Sequence, residues 1–262
     1  MQTTSLTPRP TGLPEPEAIW LGISTSLQQF DGQLLRRLSH YVTIARWDYC
    51  VTSDEASCLD TALSLLHDYL SSYPEPVHLM GHSMGGLMAL LYARQHPERV
   101  RSLTLLAVGA NPAVTWHSHY YALRKLLPCS RRVLLTQLAV CLFGQESPLV
   151  KAHLTYLLEN DLDCAVSPHS LWKQTSVKAG GVAMPLMVCG SKDDTIVDPI
   201  TLERWQLFMK EGDRLWLCPY GRHFFHYAHP NLVSRKIIRF WHSLEMRTTT
   251  PTSLPSITSV VS

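Results

Sequence analysis

Val77-His-Leu-Met-Gly-His-Ser-Met-Gly-Gly86 is a short apolar run that breaks into glycine and serine just before a helical pattern from Leu87 to His96. Its centre, Gly81-His-Ser-Met-Gly85, matches G-x-S-x-G with a predicted strand before it (Val77–Met80) and a predicted helix after it (Gly85–His96). A serine on a tight strand-to-helix turn needs neighbours without bulky Cβ groups, because strand and helix approach closely there. The helix start behind it supplies free N–H groups and the positive end of a dipole, which face charge developing on an attacked carbonyl oxygen.

Outward from this turn, apolar runs alternate with helical periods. Strands are predicted at Ala18–Ile23, Tyr41–Arg46, Val77–Met80, Val100–Val108, Pro185–Cys189 and Arg214–Cys218. Helices are predicted at Gln28–Leu38, Ser57–Leu70, Gly85–His96, Pro199–Lys210 and Pro230–Leu244. Near-continuous apolar strands separated by amphipathic helices imply a doubly wound α/β fold with a mostly parallel sheet covered on both faces. The alternation stops between about Asn111 and Gly181, where Trp116–Leu127, Arg131–Phe143, Pro148–Asn160 and Pro168–Val177 all read as helix. The expected layout is a loose segment over 1–16, a first core part over 17–110, a helical cap insertion over 111–181, a second core part over 182–246 and a Ser/Thr/Pro-rich tail over 247–262.

Composition narrows the function classes. The chain has 262 residues, 45% of them hydrophobic, and a formal net charge of +2, enough for one buried core and too little basic excess for nucleic acid. Seven cysteines fall without paired spacing, which suits reduced thiols and a cytoplasmic location. The N-terminus lacks an apolar signal region, and no run reaches the roughly 18–20 apolar residues of a membrane span. Neither a P-loop, an HExxH, a paired-cysteine zinc pattern nor a strand-linked GxGxxG is present, so no cofactor or metal is implied.

A serine hydroxyl is a poor nucleophile on its own and needs a base, which in turn needs an orienting carboxylate. On this architecture they follow in the order serine, acid, histidine at later strand ends. Gly190-Ser-Lys-Asp-Asp-Thr-Ile-Val-Asp-Pro199 follows the first strand after the insertion, and Tyr220-Gly-Arg-His-Phe-Phe225 follows the last strand. Among the histidines, His223 alone combines a glycine-containing loop with a strand end. His82 precedes the serine and reads as a packing residue, and His226 and His229 as surface or satisfied core residues beginning the last helix.

From about Glu17 to Leu244 the chain resembles the α/β-hydrolase fold superfamily. Leu79-Met-Gly-His-Ser-Met-Gly-Gly and Tyr92-Ala-Arg-Gln-His-Pro-Glu-Arg-Val-Arg-Ser-Leu-Thr-Leu-Leu look like the elbow, helix and next strand of its lipase, esterase and meta-cleavage-product hydrolase branches. The resemblance implies a triad of Ser83, an aspartate and His223 beneath a helical cap. Members commonly place the acid in G-x-x-D-x-x-V-P. Counting from Gly190 selects Asp193, whereas counting back from Val197 selects Asp194, which is favoured because the following segment anchors the loop into a helix at Pro199; the unused aspartate would be a solvated turn residue or a helix cap. Two departures stand out. Leu21 occupies the place where relatives often carry histidine before Gly22, leaving the Ile23 and Met84 N–H groups as the expected oxyanion hole. The antiparallel strands that usually open the fold are expected to be missing or rudimentary, since only about sixteen residues precede the first predicted strand.

The insertion is rich in apolar and aromatic residues, which suits a hydrophobic substrate. Arg124, Lys125, Arg131 and Arg132 form either a solvated basic rim or a transient contact with a membrane surface. The expected activity is hydrolysis of an ester or thioester through an acyl-serine. The alternatives are acyl transfer, carbon–carbon bond hydrolysis, or ligand binding with little turnover on the same fold.

Overall fold

The computed structural model describes residues 15–49, 58–170 and 176–248. The first strand, β1 (Ala18–Gly22), is buried along its whole length and shows why the fold has two helical layers. Ala18 and Trp20 pack into one core and Ile19 and Leu21 into the other, as the two-residue period of a strand covered on both faces requires. The same division recurs in β3 (Val77–His82) and, after the insertion, in β5 (Leu186–Ser191).

The remaining strands are β2 (Ile44–Asp48), β4 (Val100–Leu106) and β6 (Arg214–Cys218). All pair in parallel in the order β2-β1-β3-β4-β5-β6. On the Ile19 face lie α2 (Leu59–Ser71), α3 (Ser83–Gln95) and α7 (Pro199–Glu203); on the Trp20 face lie α1 (Gly32–Leu38), α8 (Phe225–Ala228) and α9 (Pro230–Thr248). Winding runs outward from β1 to β2 and then reverses through β3. The carboxyl ends of β1 and β3 therefore flank the point where the order switches, where open parallel sheets form their crevice. Ile23 and Ser83 leave the sheet on either side of it.

Between β4 and β5 the chain forms α4 (Trp116–Leu126), α5 (Arg131–Phe143) and α6 (Pro148–Cys164). Each begins on a hydroxyl cap, Thr115, Ser130 and Ser147, whose side chain accepts from the amide three residues on, satisfying one otherwise orphaned N–H. The insertion reaches the carboxyl end of the sheet through aromatic contacts: the Phe143 ring lies 4.8 Å from Phe30 and stacks at 4.3 Å on Phe224. Among the described residues no single helix is long and apolar enough to cross a membrane.

Several boundaries differ from expectation. The helix predicted over Pro168–Val177 is absent from its described flanks, 168–170 and 176–177; residues 171–175 lie outside the described residues. The helix predicted over Gln28–Leu38 divides into a 3-10 turn, Thr25–Phe30, and α1, broken at Asp31, whose carboxylate is drawn into tertiary bonds. Strand β2 starts at Ile44 rather than Tyr41, because the Tyr41 and Val42 amides close the end of α1 on the Leu38 carbonyl. The helix expected over Pro199–Lys210 stops at Glu203 and continues as a 3-10 turn to Leu207. The expected loose ends fall largely outside the described residues, as do Cys50 and Ser57, where the second helix was expected to begin; the other six cysteines are free thiols.

Candidate active site

Ser83 opens α3 directly after β3 with φ 50°, a left-handed value that strains a residue with a Cβ. The flanking glycines make the strain tolerable. A Cβ on Gly81 would overlap the backbone of Gly85 and Gly86, and one on Gly85 would strike the Leu21 carbonyl of the neighbouring strand. The motif thus reflects three backbone segments in contact. The surrounding packing holds that strain in place.

The hydroxyl meets an imidazole. His223 Nε2 lies 2.9 Å from Ser83 Oγ, and His223 Nδ1 lies 2.9 Å from Asp194 Oδ2. With Asp194 accepting from Nδ1–H, the opposite nitrogen keeps a lone pair facing the serine hydroxyl. All three side chains are buried, His223 completely. The other Asp194 oxygen accepts from the Ile196 and Val197 amides at 2.8 and 3.2 Å. Those amides fix the orientation of the carboxylate.

Asp193, the other aspartate weighed from the sequence, is turned elsewhere. It is neither a free turn residue nor a helix cap, since Asp198 caps α7 by accepting from the Thr201 amide. Asp193 Oδ1 accepts from Ser191 Oγ–H at 2.6 Å and from the Arg222 amide at 2.8 Å. Burial by itself would raise its carboxyl, but the bonds from Ser191, Arg222 and Gly221 outweigh it and hold the group below the ordinary carboxylate value. Arg222 has φ 52° and Gly221 φ 121°, so Asp193 steadies the strained loop that presents His223.

The sequence reads His82 as a packing residue and His226 as a surface or satisfied core residue at the start of the last helix. His82, next to Ser83, donates Nε2–H to the His223 carbonyl at 2.9 Å. Burial, reinforced by His226 and His223, pushes its pKa well below 6.5, so it stands here as a neutral donor. His226 does not begin the last helix. It lies fully buried in α8, paired at 3.1 Å with Asp31. A histidine on the first turn after a loop histidine was the available signal; its acid, 195 residues earlier, had none.

Ser83 opens into a small cavity bounded by Trp20, Gly22, Ile23, Ser24, Trp116 and Phe224. Its volume of about 20 Å³ is room for one water molecule. Ile23 reaches this cavity from the end of β1, and Met84 follows Ser83 in the first turn of α3. A larger cavity of about 380 Å³ lies between His78, Arg101 and Trp241 at the opposite, amino end of the strands, far along the chain fold from Ser83. No group of three or more His, Cys, Asp or Glu side chains among the described residues is arranged to hold a metal.

Comparison with known proteins bears on this geometry. Residues 72–165 match the model of a family described as alpha/beta hydrolase fold. The chain is 46% identical over 232 residues to the uncharacterized protein sll0249 of Synechocystis sp., covering 88% of this chain and 92% of that one. It is 44% identical over 225 residues to the uncharacterized protein alr2406 of Nostoc sp., covering 86% and 90%. Among solved structures it is similar to the enol-lactonase from Burkholderia xenovorans, with a TM-score of 0.62 at 16% identity over 87% of this chain and 92% of that one. At that identity the likeness speaks for the fold.

Proposed function

The chain belongs to the α/β-hydrolase fold superfamily, and on that premise we propose that it is a cofactor-independent serine hydrolase acting on an ester or thioester with a hydrophobic part. The observation that carries this reading is the bonded order Asp194, His223, Ser83, at 2.9 Å on either side of the imidazole.

In the proposed reaction His223 Nε2 takes the Ser83 proton as Oγ attacks the substrate carbonyl, and Asp194 steadies the resulting imidazolium. The Met84 and Ile23 amides receive the oxyanion. His223 then protonates the leaving alcohol or thiol, the bond to it breaks, and an acyl-serine remains. Water, deprotonated by the same nitrogen, attacks the acyl carbonyl and releases the acid with Ser83 restored. A hydrophobic substrate is supported by the cavity wall, in which Ile23, Leu27, Trp116 and Phe224 offer apolar surface. Because that cavity admits about one water, α4–α6 act in this reading as a cap that shifts to let substrate in.

The test is a fluorophosphonate probe, which phosphonylates an activated serine. Labelling of the wild type that is lost in Ser83→Ala supports the enzyme. A folded wild type that is not labelled, yet binds a small apolar ligand, returns the fold to a binding role. Product analysis with water against an alcohol acceptor separates hydrolysis from acyl transfer, which uses the same three side chains.

A further inference from the structure

We propose that two buried acid–histidine pairs outside the proposed triad, Asp31–His226 and Asp161–His117, clamp the Gly22–Ser24 loop and so position the Ile23 amide; the inference rests on the reading of that amide as an oxyanion donor. Past Gly22, which pairs with Asp48 in the sheet, the loop has few backbone bonds of its own among the described residues. Leu21 offers no polar side chain, and outside the sheet ladder the Tyr49 amide meets the Gly22 carbonyl at 3.3 Å and the Leu27 amide meets the Ser24 carbonyl at 3.0 Å.

Side chains from two directions supply the rest. On the sheet side, Asp31 accepts from Trp20 Nε1–H at 3.0 Å and is paired with His226 Nε2 at 3.1 Å, which ties β1 to α8. His226 lies three residues beyond His223, so one carboxylate links the strand that ends in the loop to the helix that follows the proposed base. On the insertion side, Ser24 donates to Asp161 Oδ2 at 3.4 Å, and the same oxygen meets His117 Nε2 at 3.1 Å. Asp161 stands on α6 and His117 on α4, so the loop is fastened to the helices above it.

Packing alone does not account for these groups. Asp161, His117 and His226 are fully buried, and Asp161 Oδ1, His117 Nδ1 and His226 Nδ1 have no hydrogen-bond partner among the described residues. Removing charged or polar groups from water and leaving some of their atoms unpaired is costly, and hydrophobic residues of similar size are often as good or better for stability. What the two pairs share is where they end. Trp20, Ser24 and Asp31 all bound the cavity of Ser83, on the side of Gly22 and Ile23. Asp31 and Asp161 are thus positioning residues that act through Trp20, His226 and Ser24, and seating of the insertion is coupled to the geometry of the loop.

The experiment compares full-length wild type with Ser24→Ala, Asp161→Asn, their double variant, Ser24→Thr and the surface control Glu159→Gln on α6. Amide hydrogen exchange of peptides covering Gly22–Leu27 is read first. Ser24→Ala and Asp161→Asn each speed exchange there by roughly tenfold while the Ser83–Gln95 peptide stays protected, the double variant adds nothing because both break one chain, and Ser24→Thr restores protection. Fluorophosphonate labelling of Ser83 slows by roughly tenfold in the same variants, and Asp31→Asn lowers kcat on a nitrophenyl ester with KM near the wild-type value. Glu159→Gln, bonded to Arg131, changes none of these. Loop exchange unchanged in both single variants overturns the proposal, as does a fall in kcat accompanied only by a lower Tm. Failure of wild type to be labelled at all refutes the hydrolase reading instead, and the exchange data still decide whether the clamp exists.

Discussion

Ser83 pays a conformational cost at φ 50° that only its neighbours make bearable, and this is where substitutions speak most sharply. In Gly85→Ala the new methyl strikes the Leu21 carbonyl, which backbone cannot evade by a rotamer change. The expected loss is about 1–3 kcal/mol, read as a fall of several degrees in Tm by calorimetry; an unchanged Tm would mean that β1 and α3 are further apart. The two adjacent aspartates separate equally clearly. Asp194→Asn leaves the shape intact but disturbs the imidazole tautomer, and kcat is expected to fall by about 10⁴-fold. Asp193→Asn weakens only the support of the Arg222 loop, and a loss nearer tenfold is expected, on the scale of a positioning contact. Steady-state kinetics on one nitrophenyl ester checks both, and equal losses would contradict the separate roles.

Among elements, the pairing of β3 with α9 carries a pH signature. The His78 ring stacks on Trp241 at 5.0 Å and its Nδ1 lies 2.7 Å from Ser102 Oγ. Burial, aided by Arg101, lowers its pKa to about 4. The unfolded chain binds this proton at about 6.5, so between those values the unfolded state holds more protons and stability rises with pH. The contribution is complete above about 6.5 and is lost as pH falls toward 4, by on the order of 3 kcal/mol at full extent. Asp193 adds a loss of the same sign below the ordinary carboxylate range, because its folded value is lowered. Denaturant unfolding between pH 4 and 7 is expected to show this slope, flattened in His78→Gln; an identical slope in the variant would contradict it.

The elements also show what could be read in advance. Five of the strands begin within a residue or two of their predicted positions because a two-sided parallel sheet writes itself as short apolar runs. The insertion helices α4 and α5 were equally plain, each bounded by a hydroxyl cap. The break at Asp31 was not legible, since it follows from bonds to Trp20 and His226, both distant in sequence. For the same reason Ser83 and His223 could be singled out from local motifs, whereas Asp31, His117 and Asp161 could not. Buried acid–histidine pairs declare themselves only when the elements carrying them meet.

At the scale of the molecule, the parallel sheet gathers every strand's carboxyl end on one edge, and the α4–α6 insertion covers the part of that edge where the strand order reverses. With room for about one water beside Ser83, the proposed turnover of a bulky acyl group would require movement of those helices. Nitrophenyl esters of increasing acyl length are therefore expected to show kcat/KM rising from acetate to a medium chain as apolar contact grows, at up to roughly 0.8 kcal/mol per buried methylene. A flat series would contradict an apolar acyl site. The basic rim foreseen on the insertion is partly spent internally, since Arg131 binds Glu159 and Asp163 and Arg124 binds the Cys129 carbonyl.

The central claim is that Ser83 becomes acylated with His223 as its base. Rapid-quench mass spectrometry of wild type mixed with a nitrophenyl ester tests it most directly. The acyl mass is expected on the peptide containing Ser83 within one turnover and is expected to vanish as the acid is released. Hydrolysis proceeding with Ser83 never modified, or an adduct carried by another residue, would contradict it.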